Sequence, residues 1–183
     1  AAMQAVFGNP LAEPGITGVS AGAAVIAAGL IVTGMVGATS WLLPVGAFVG
    51  ALGATAIVQG VGYGRASRST ASLLLVGMAL NSFLGAITAA LIANAPDAEN
   101  ARSAMFWLNG DLTGRTVADV WMVVAPLMIG GSGVLFCARE LNMLALGEAT
   151  AQSAGVNVRL VSNLVLASAA LATASGVAAT GII

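Results

Sequence analysis

Residues 141–159, LNMLALGEATAQSAGVNVR, form a polar, glycine-containing segment between two apolar runs at 117–138 and 158–183. Each run has about the 20 residues that a transmembrane helix needs, so this arrangement points to a helical membrane protein. Within the segment, residues 148–153 predict a short helix with an acid in its first turn and Gly155 as its stop. From periodicity alone the segment is either an amphipathic connector on the lipid headgroups or a docking site for a soluble partner.

Composition supports the membrane assignment. Hydrophobic residues make up 58% of the 183 residues and charged residues only 7%, and the mean hydropathy is +0.98. These values are typical of an integral membrane protein, in which this length leaves room for about five spans and no soluble domain. The net charge of -1 argues against a nucleic-acid partner, and a single cysteine excludes an internal disulfide.

The chain contains 24 glycines, which predict close packing between helices. Three G-x-x-x-G pairs occur, at Gly18/Gly22, Gly46/Gly50 and Gly60/Gly64. The apolar runs lack the short alternating pattern of a β-barrel, so we expect an all-α, polytopic membrane helix bundle. Five runs are predicted to span, at residues 16–36, 42–61, 72–95, 117–138 and 158–183.

The arginines are unevenly distributed between the two sets of loops. One set carries Arg65, Arg68, Arg139 and Arg159, whereas the other carries Arg102 and Arg115 among four acidic residues. By the positive-inside rule the first set is cytosolic, so the loop at 139–158 faces the cytosol and the segment 96–116 faces outward.

Both ends of the sequence lie within helical or apolar patterns. The chain begins with Ala1 rather than an initiator methionine, and it stops inside an apolar run. We therefore expect the sequence to be the middle of a longer membrane chain.

Two absences bear on the energy source. The spans contain no ionisable residue except Asp119 and Arg159 at their margins, whereas a proton-coupled carrier normally keeps one at membrane depth. The chain also has no lysine, which a P-loop nucleotide site requires. Together with a cytosolic loop shaped for docking, these absences point to the membrane subunit of a transporter that a separate ATPase powers. The competing class is an ion-coupled secondary transporter or a channel whose coupling residues lie elsewhere.

Four stretches resemble the FecCD family, the permeases of ABC importers for iron-siderophores, haem and cobalamin. They are NPLAEPGITGVSAGAAV at 9–25, SLLLVGMALNSFLGAIT at 72–88, MFWLNGDLTG at 105–114 and LNMLALGEATAQSAGVNV at 141–158. The resemblance implies a single permease domain over residues 1–183, from the end of the second to the seventh helix of a ten-helix subunit that works as a homodimer.

The resemblance also assigns roles to residues on the cytosolic side. In that family a cytosolic loop inserts two short helices into a cleft of the ATPase and couples the two subunits. The resemblance assigns this coupling role to Leu146, Gly147, Glu148, Ala151 and Gly155. A cytosolic gate is implied at Ser69, Thr70 and Ala71, although Ala71 departs from the Ser-Thr-Ser pattern of the cobalamin importer. Ser69 or Thr70 serves equally well as an N-cap for the helix that starts near Ser72.

Candidate pathway residues lie on the run 72–95 and on the outer segment. Asn81 and Thr88 share a helical face, which either lines a water-filled path or bonds across to other helices. Met105 and Trp107 lie on a predicted short helix, where interfacial anchoring is the simpler explanation and the resemblance implies proximity to the entrance. Arg102 and Arg115 are the candidates for docking a substrate-binding protein.

Together these features predict a multi-pass permease subunit in the cytoplasmic membrane, moving a ferric siderophore by alternating access, with haem or cobalamin as alternative cargo. The expected partners are an ATP-binding ABC subunit, a substrate-binding protein, a second permease subunit and membrane lipid. We expect no enzymatic activity, no cofactor and no metal site in the chain itself.

Overall fold

The computed structural model describes residues 2–38, 41–63, 70–110 and 116–182, and no strand occurs in these ranges. The predicted all-α membrane helix bundle is therefore confirmed. Two 3-10 turns, Pro14–Thr17 and Met35–Ala38, flank the second helix. The described ranges contain nine α-helices: α1 (Ala2–Phe7), α2 (Val19–Val32), α3 (Leu42–Tyr63), α4 (Thr70–Ala93), α5 (Ala98–Leu108), α6 (Val117–Phe136), α7 (Ala138–Ala145), α8 (Glu148–Ser153) and α9 (Val158–Thr180).

Four of the helices in the described ranges, α3, α4, α6 and α9, are long and apolar enough to cross a membrane. They coincide with the last four predicted runs. The chain is therefore a multi-pass membrane protein, as predicted.

The first predicted run, residues 16–36, forms a shorter apolar helix rather than one of spanning length. Its α-helical part, α2, has 14 residues and is about 21 Å long, whereas a bilayer core is about 30 Å thick. Glycines in the left-handed region bound it, with φ of 85° at Gly18 and 70° at Gly34. Hydropathy does not register these backbone breaks, because the flanking residues are apolar. Although short, α2 is central to the bundle and packs against α3, α4, α5 and α9.

Two of the three G-x-x-x-G pairs meet where α2 crosses α3. A Cβ atom built on Gly22 would lie 2.2 Å from the carbonyl oxygen of Gly50, and one built on Gly50 would lie 2.2 Å from the Gly22 oxygen. Only glycine permits backbones to approach so closely. The expectation of close packing through Gly22, Gly46 and Gly50 is confirmed. A Cβ on Gly60 would meet no atom of the described residues within 4 Å, and Gly64 lies outside them.

A second close crossing joins α6 to α9. Cβ atoms built on Gly130 and Gly133 would lie 2.5 Å from the Ser168 carbonyl oxygen and 2.3 Å from its Oγ. The opposite side of α6 is exposed in the described part of the chain, including Trp121 and Met128. The crossing with α9 therefore fixes the position of α6.

The connections between helices collect at two ends of the bundle. At one end, which we call the loop end, the turn after α1, the start of α4 and the segment α7–α8 line a common groove. At the opposite end, α5 lies beside the end of α9, because a Cβ on Gly181 would be 2.3 Å from the Trp107 carbonyl oxygen. The predicted separation of the polar loop from the outer segment is thus observed. Arg65 and Arg68 lie outside the described residues, and the cytosolic assignment of the loop end stays a prediction.

Candidate functional site

Helix α7 joins the end of α6 to the polar loop and anchors that loop to the bundle. Its apolar face buries Leu141 and Leu144 with Cys137, against Val161 and Val165 of α9. Arg139 and Asn142 lie on the exposed face. A loop anchored in this way has a defined orientation relative to α9.

Helix α8 begins and ends as the sequence predicts. Gly147 precedes it with φ 115° and ψ 147°, a conformation that is almost restricted to glycine. At its end, the Val156 N–H donates to the Ala151 carbonyl and the Gly155 N–H donates to the Gln152 carbonyl, at 3.0 Å each. With φ 83° at Gly155, these bonds form a Schellman motif. The predicted helix at 148–153 and its stop at Gly155 are therefore confirmed.

The five residues predicted to couple to an ATPase fall into two groups. Leu146, Gly147, Glu148 and Gly155 are exposed, and Leu146 is 70% exposed although it is apolar. Ala151 is 0% exposed and belongs to the cluster that seats α8 on α7 and α9. Four of these residues are thus accessible on the surface, whereas the fifth is a packing contact.

A groove of about 1060 Å³ lies beside α8 at the loop end. Its second wall is a turn that the sequence reasoning did not connect with this loop, formed by residues 4–10. That turn is stabilised by hydrogen bonds: the Asn9 N–H donates to the Gln4 carbonyl, the Asn9 Oδ1 accepts from the Leu11 N–H at 2.9 Å, and the Gln4 amide donates to the Pro10 carbonyl. The Asn-Pro pair, a turn signal, was the available clue.

The cysteine beside the loop is chemically protected. Cys137 is buried between α6 and α7. Burial raises the pKa of its thiol, and the nearby Glu140 carboxylate raises it further. The raised pKa keeps Cys137 as a neutral thiol at physiological pH.

The predicted gate is only partly within the described residues. Ser69 lies outside them, and so do the side chains of Thr70 and Ala71, although helix α4 begins at Thr70. The gate therefore stays a prediction, as does the alternative N-cap.

Asn81 bonds across helices, which is one of the two alternatives that the sequence left open. Its Nδ2 donates to the Gly15 carbonyl at 2.8 Å. Thr88, on the same face, is buried and its hydroxyl donates to the Leu84 carbonyl of its own helix at 3.0 Å. The face that carries both residues is thus turned toward the 3-10 turn and α2. The exposed face of α4 carries Met78, Ser82 and Phe83 instead.

The two candidates on α5 point in different directions. Met105 is exposed and shares an open groove of about 560 Å³ with Thr88. Trp107 is only 8% exposed and packs into the main core with Ala104, Ala174 and Ala178. The simpler explanation of Trp107 as an interfacial anchor is therefore wrong, because its ring is buried in this core.

Of the docking candidates, Arg102 is exposed on α5, which Asp97 caps by accepting the Asn100 N–H at 2.7 Å. Arg115 lies outside the described residues. In the described ranges, no group of three or more His, Cys, Asp or Glu residues could hold a metal ion.

Comparison with known proteins shows which proteins this chain is similar to. Residues 1–183 match the model of the FecCD transport family. The chain is 38% identical over 183 residues to the cobalamin import system permease protein BtuC of Halobacterium salinarum, covering all of this chain and 48% of that protein. It is 37% identical over 185 residues to the vitamin B12 import system permease protein BtuC of Photorhabdus laumondii, covering all of this chain and 54% of that protein. The chain therefore spans about half the length of these curated relatives.

A solved structure agrees with these relatives. It is assigned to the metal-chelate type of ABC transporter, in an inward-facing conformation, and superposes with a TM-score of 0.90 at 26% identity. The match covers 100% of this chain and 57% of the solved one. With its whole length matched, its helices superposed and its motifs in order, the chain belongs to the FecCD transport family.

Proposed function

We propose that this chain forms part of the membrane permease of an ABC importer, in which a separate ATPase drives alternating access. The observation that carries the proposal is the exposed helix α8, which is held between Gly147 and Gly155 and seated on the bundle by Ala151. A membrane-surface connector would bury an apolar face in the headgroups. Helix α8 instead directs Glu148 and Gln152 into the groove at the loop end and keeps its small apolar contact, Ala151, inside the protein.

The proposed partners follow from this arrangement. The loop end would receive the ATPase, and the end that carries α5 and Arg102 would face the substrate-binding protein. A second permease subunit would complete the translocation path. Membrane lipid would surround the outer surfaces of the spanning helices.

For the cargo, the named relatives support cobalamin, which the sequence reasoning held as an alternative to the ferric siderophore. The motifs that this family shares do not distinguish between the two cargoes. Competition for uptake into vesicles by cobalamin, a ferric siderophore and haem would rank them directly.

The coupling role of α8 is tested by reversing one charge. Glu148→Arg in the full-length permease should weaken binding of the ATPase and lower uptake per ATP hydrolysed, because the arginine would enter a surface shaped around a carboxylate. Since Glu148 is exposed, the unfolding midpoint should change little. Glu99→Arg is the matched control for ATPase binding alone, because it makes the same charge change on an exposed residue at the opposite end, which would face the substrate-binding protein.

Normal ATPase affinity and normal uptake per ATP in the Glu148 variant would contradict the assignment. The competing class of function is tested in the same vesicles. Uptake driven by an imposed ion gradient without ATP would establish an ion-coupled carrier.

A further inference from the structure

A single side chain joins helix α4 to the turn that precedes α2. Asn81 donates from Nδ2 to the Gly15 carbonyl at 2.8 Å, across 66 positions of sequence. The same carbonyl accepts the Gly18 N–H at 3.1 Å. Both lone pairs of the Gly15 oxygen are therefore used, one within the turn and one by α4.

The backbones are also in direct contact at this point. Gly77 lies one helical turn before Asn81, on the same face of α4. A Cβ atom built on Gly77 would lie 2.0 Å from the Ile16 carbonyl oxygen. Helix α4 thus rests on the turn Pro14–Thr17, with Gly77 against Ile16 and Asn81 against Gly15.

Stability alone does not account for the amide at this position. The Oδ1 atom of Asn81 is buried and has no hydrogen-bond partner among the described residues. A buried acceptor without a partner costs about as much free energy as a typical hydrogen bond contributes, or more. The Gly15 carbonyl would keep its bond from Gly18 if the amide were removed, so an apolar side chain of similar size would be tolerated.

We propose that Asn81 is a positioning residue for transport, which fixes α4 to the turn Pro14–Thr17 so that the two move as one body. This inference rests on the proposed function. The turn is the direct continuation of residues 4–13, whose first part lines the groove beside α8. A displacement at the loop end would therefore pass along the chain to Gly15, and through the Asn81 amide to α4. The exposed face of α4 would then shift with it.

The experiment uses the full-length permease with its ATPase and binding protein, and compares Asn81→Leu with Asn94→Leu. Asn94 is the matched control because it directly follows the last residue of the same helix, is exposed, and donates to the Ala90 carbonyl of that helix at 2.8 Å. Spin labels on cysteines that replace Leu11 and Phe83 report the distance between the segment that leads into the turn and α4. These residues are 81% and 63% exposed. Cobalamin uptake per ATP and the unfolding midpoint are measured on the same samples.

In the Asn81→Leu variant, the ratio of molecules at the main label distance to molecules at displaced distances should fall about fivefold. This is the change in an equilibrium constant that one net hydrogen bond produces. Uptake per ATP should fall, while the unfolding midpoint stays equal to or above that of the parent. Asn94→Leu should change none of the three measurements.

Two results would overturn the inference: unchanged distances and coupling in the Asn81 variant, or a loss of uptake that accompanies a lower unfolding midpoint. The second result would mean that Asn81 only holds the fold. Failure of the proposed function is distinguishable, because the parent permease would then show no ATP-dependent uptake. The distance measurement would still decide whether Asn81 fixes α4 to the turn.

Discussion

Replacement of Gly50 by alanine should destabilise the permease, although alanine is the better helix former. In the crossing of α2 and α3, the new Cβ would lie 2.2 Å from the Gly22 carbonyl oxygen and 2.7 Å from Cγ1 of Ile26. Ordinary contacts of a Cβ begin at 3.4 Å, a difference of 1.2 Å from the shorter distance. The nearest obstacle is backbone, so the two helices must separate.

The size of the effect follows from two opposing contributions. Overpacking of a close contact costs about 1–3 kcal/mol, whereas glycine to alanine within a helix gains about 1 kcal/mol. Gly53→Ala isolates the second contribution, because Gly53 lies on the same helix, is exposed, and has no atom within 4 Å of its built Cβ. The difference in unfolding free energy between the two variants should therefore be about 1–3 kcal/mol.

Unfolding of the full-length permease in detergent, followed by tryptophan fluorescence, measures this difference. The reciprocal variant Gly22→Ala should behave like Gly50→Ala. The double variant should cost less than the sum of the two, because helices that have already separated accommodate the second methyl group. A Gly50→Ala protein as stable as Gly53→Ala would refute the claim that direct backbone contact holds α2 against α3.

Three further outcomes follow from the loop end and its surroundings. Gly147→Ala should weaken ATPase binding in a pull-down titration, because φ 115° and ψ 147° would impose about 1–3 kcal/mol of strain on alanine. The control is Gly176→Ala, which should bind normally because its Cβ would meet no described atom within 4 Å. Ala98 and Ser153 are both exposed, so cysteines can be placed at either position. An impermeant maleimide added outside intact cells should label the cysteine at Ala98 but not the one at Ser153. Labelling of both would contradict a cytosolic loop end with α5 outside. Wild-type Cys137 should resist the same reagent even in permeabilised membranes at pH 7, since burial and the nearby Glu140 carboxylate raise the pKa of its thiol. Rapid modification of the folded protein would contradict its burial.

The parts of the structure that sequence predicted best are those decided by neighbouring residues. Helix α8 begins with Glu148 in its first turn and ends where Gly155 allows a left-handed residue. These signals act over a few residues, so no knowledge of the bundle is needed. The G-x-x-x-G pairs named the right glycines, but only the packed helices show that Gly22 meets Gly50 and that Gly60 meets nothing.

The parts that sequence predicted poorly depend on what covers a residue. Trp107 has the expected character of an interfacial anchor, yet its ring lies in the main core, where α5 packs against α2. Ala151 has the expected position of a docking residue, yet it faces inward because α8 is seated on α7. In both cases the deciding neighbour lies in another helix, beyond the reach of a local sequence signal.

The cargo was difficult to infer for a related reason. The motif at residues 9–25 contains Gly18 and Gly22, and the structure uses both for the scaffold: Gly18 for a left-handed backbone before α2, Gly22 for contact with α3. The loop motif uses Gly147 and Gly155 to shape α8. None of these roles requires contact with the transported molecule, so permeases that carry different chelates can share them. Discrimination between a siderophore and cobalamin would then lie outside these motifs, on surfaces that carry no motif specific to one ligand.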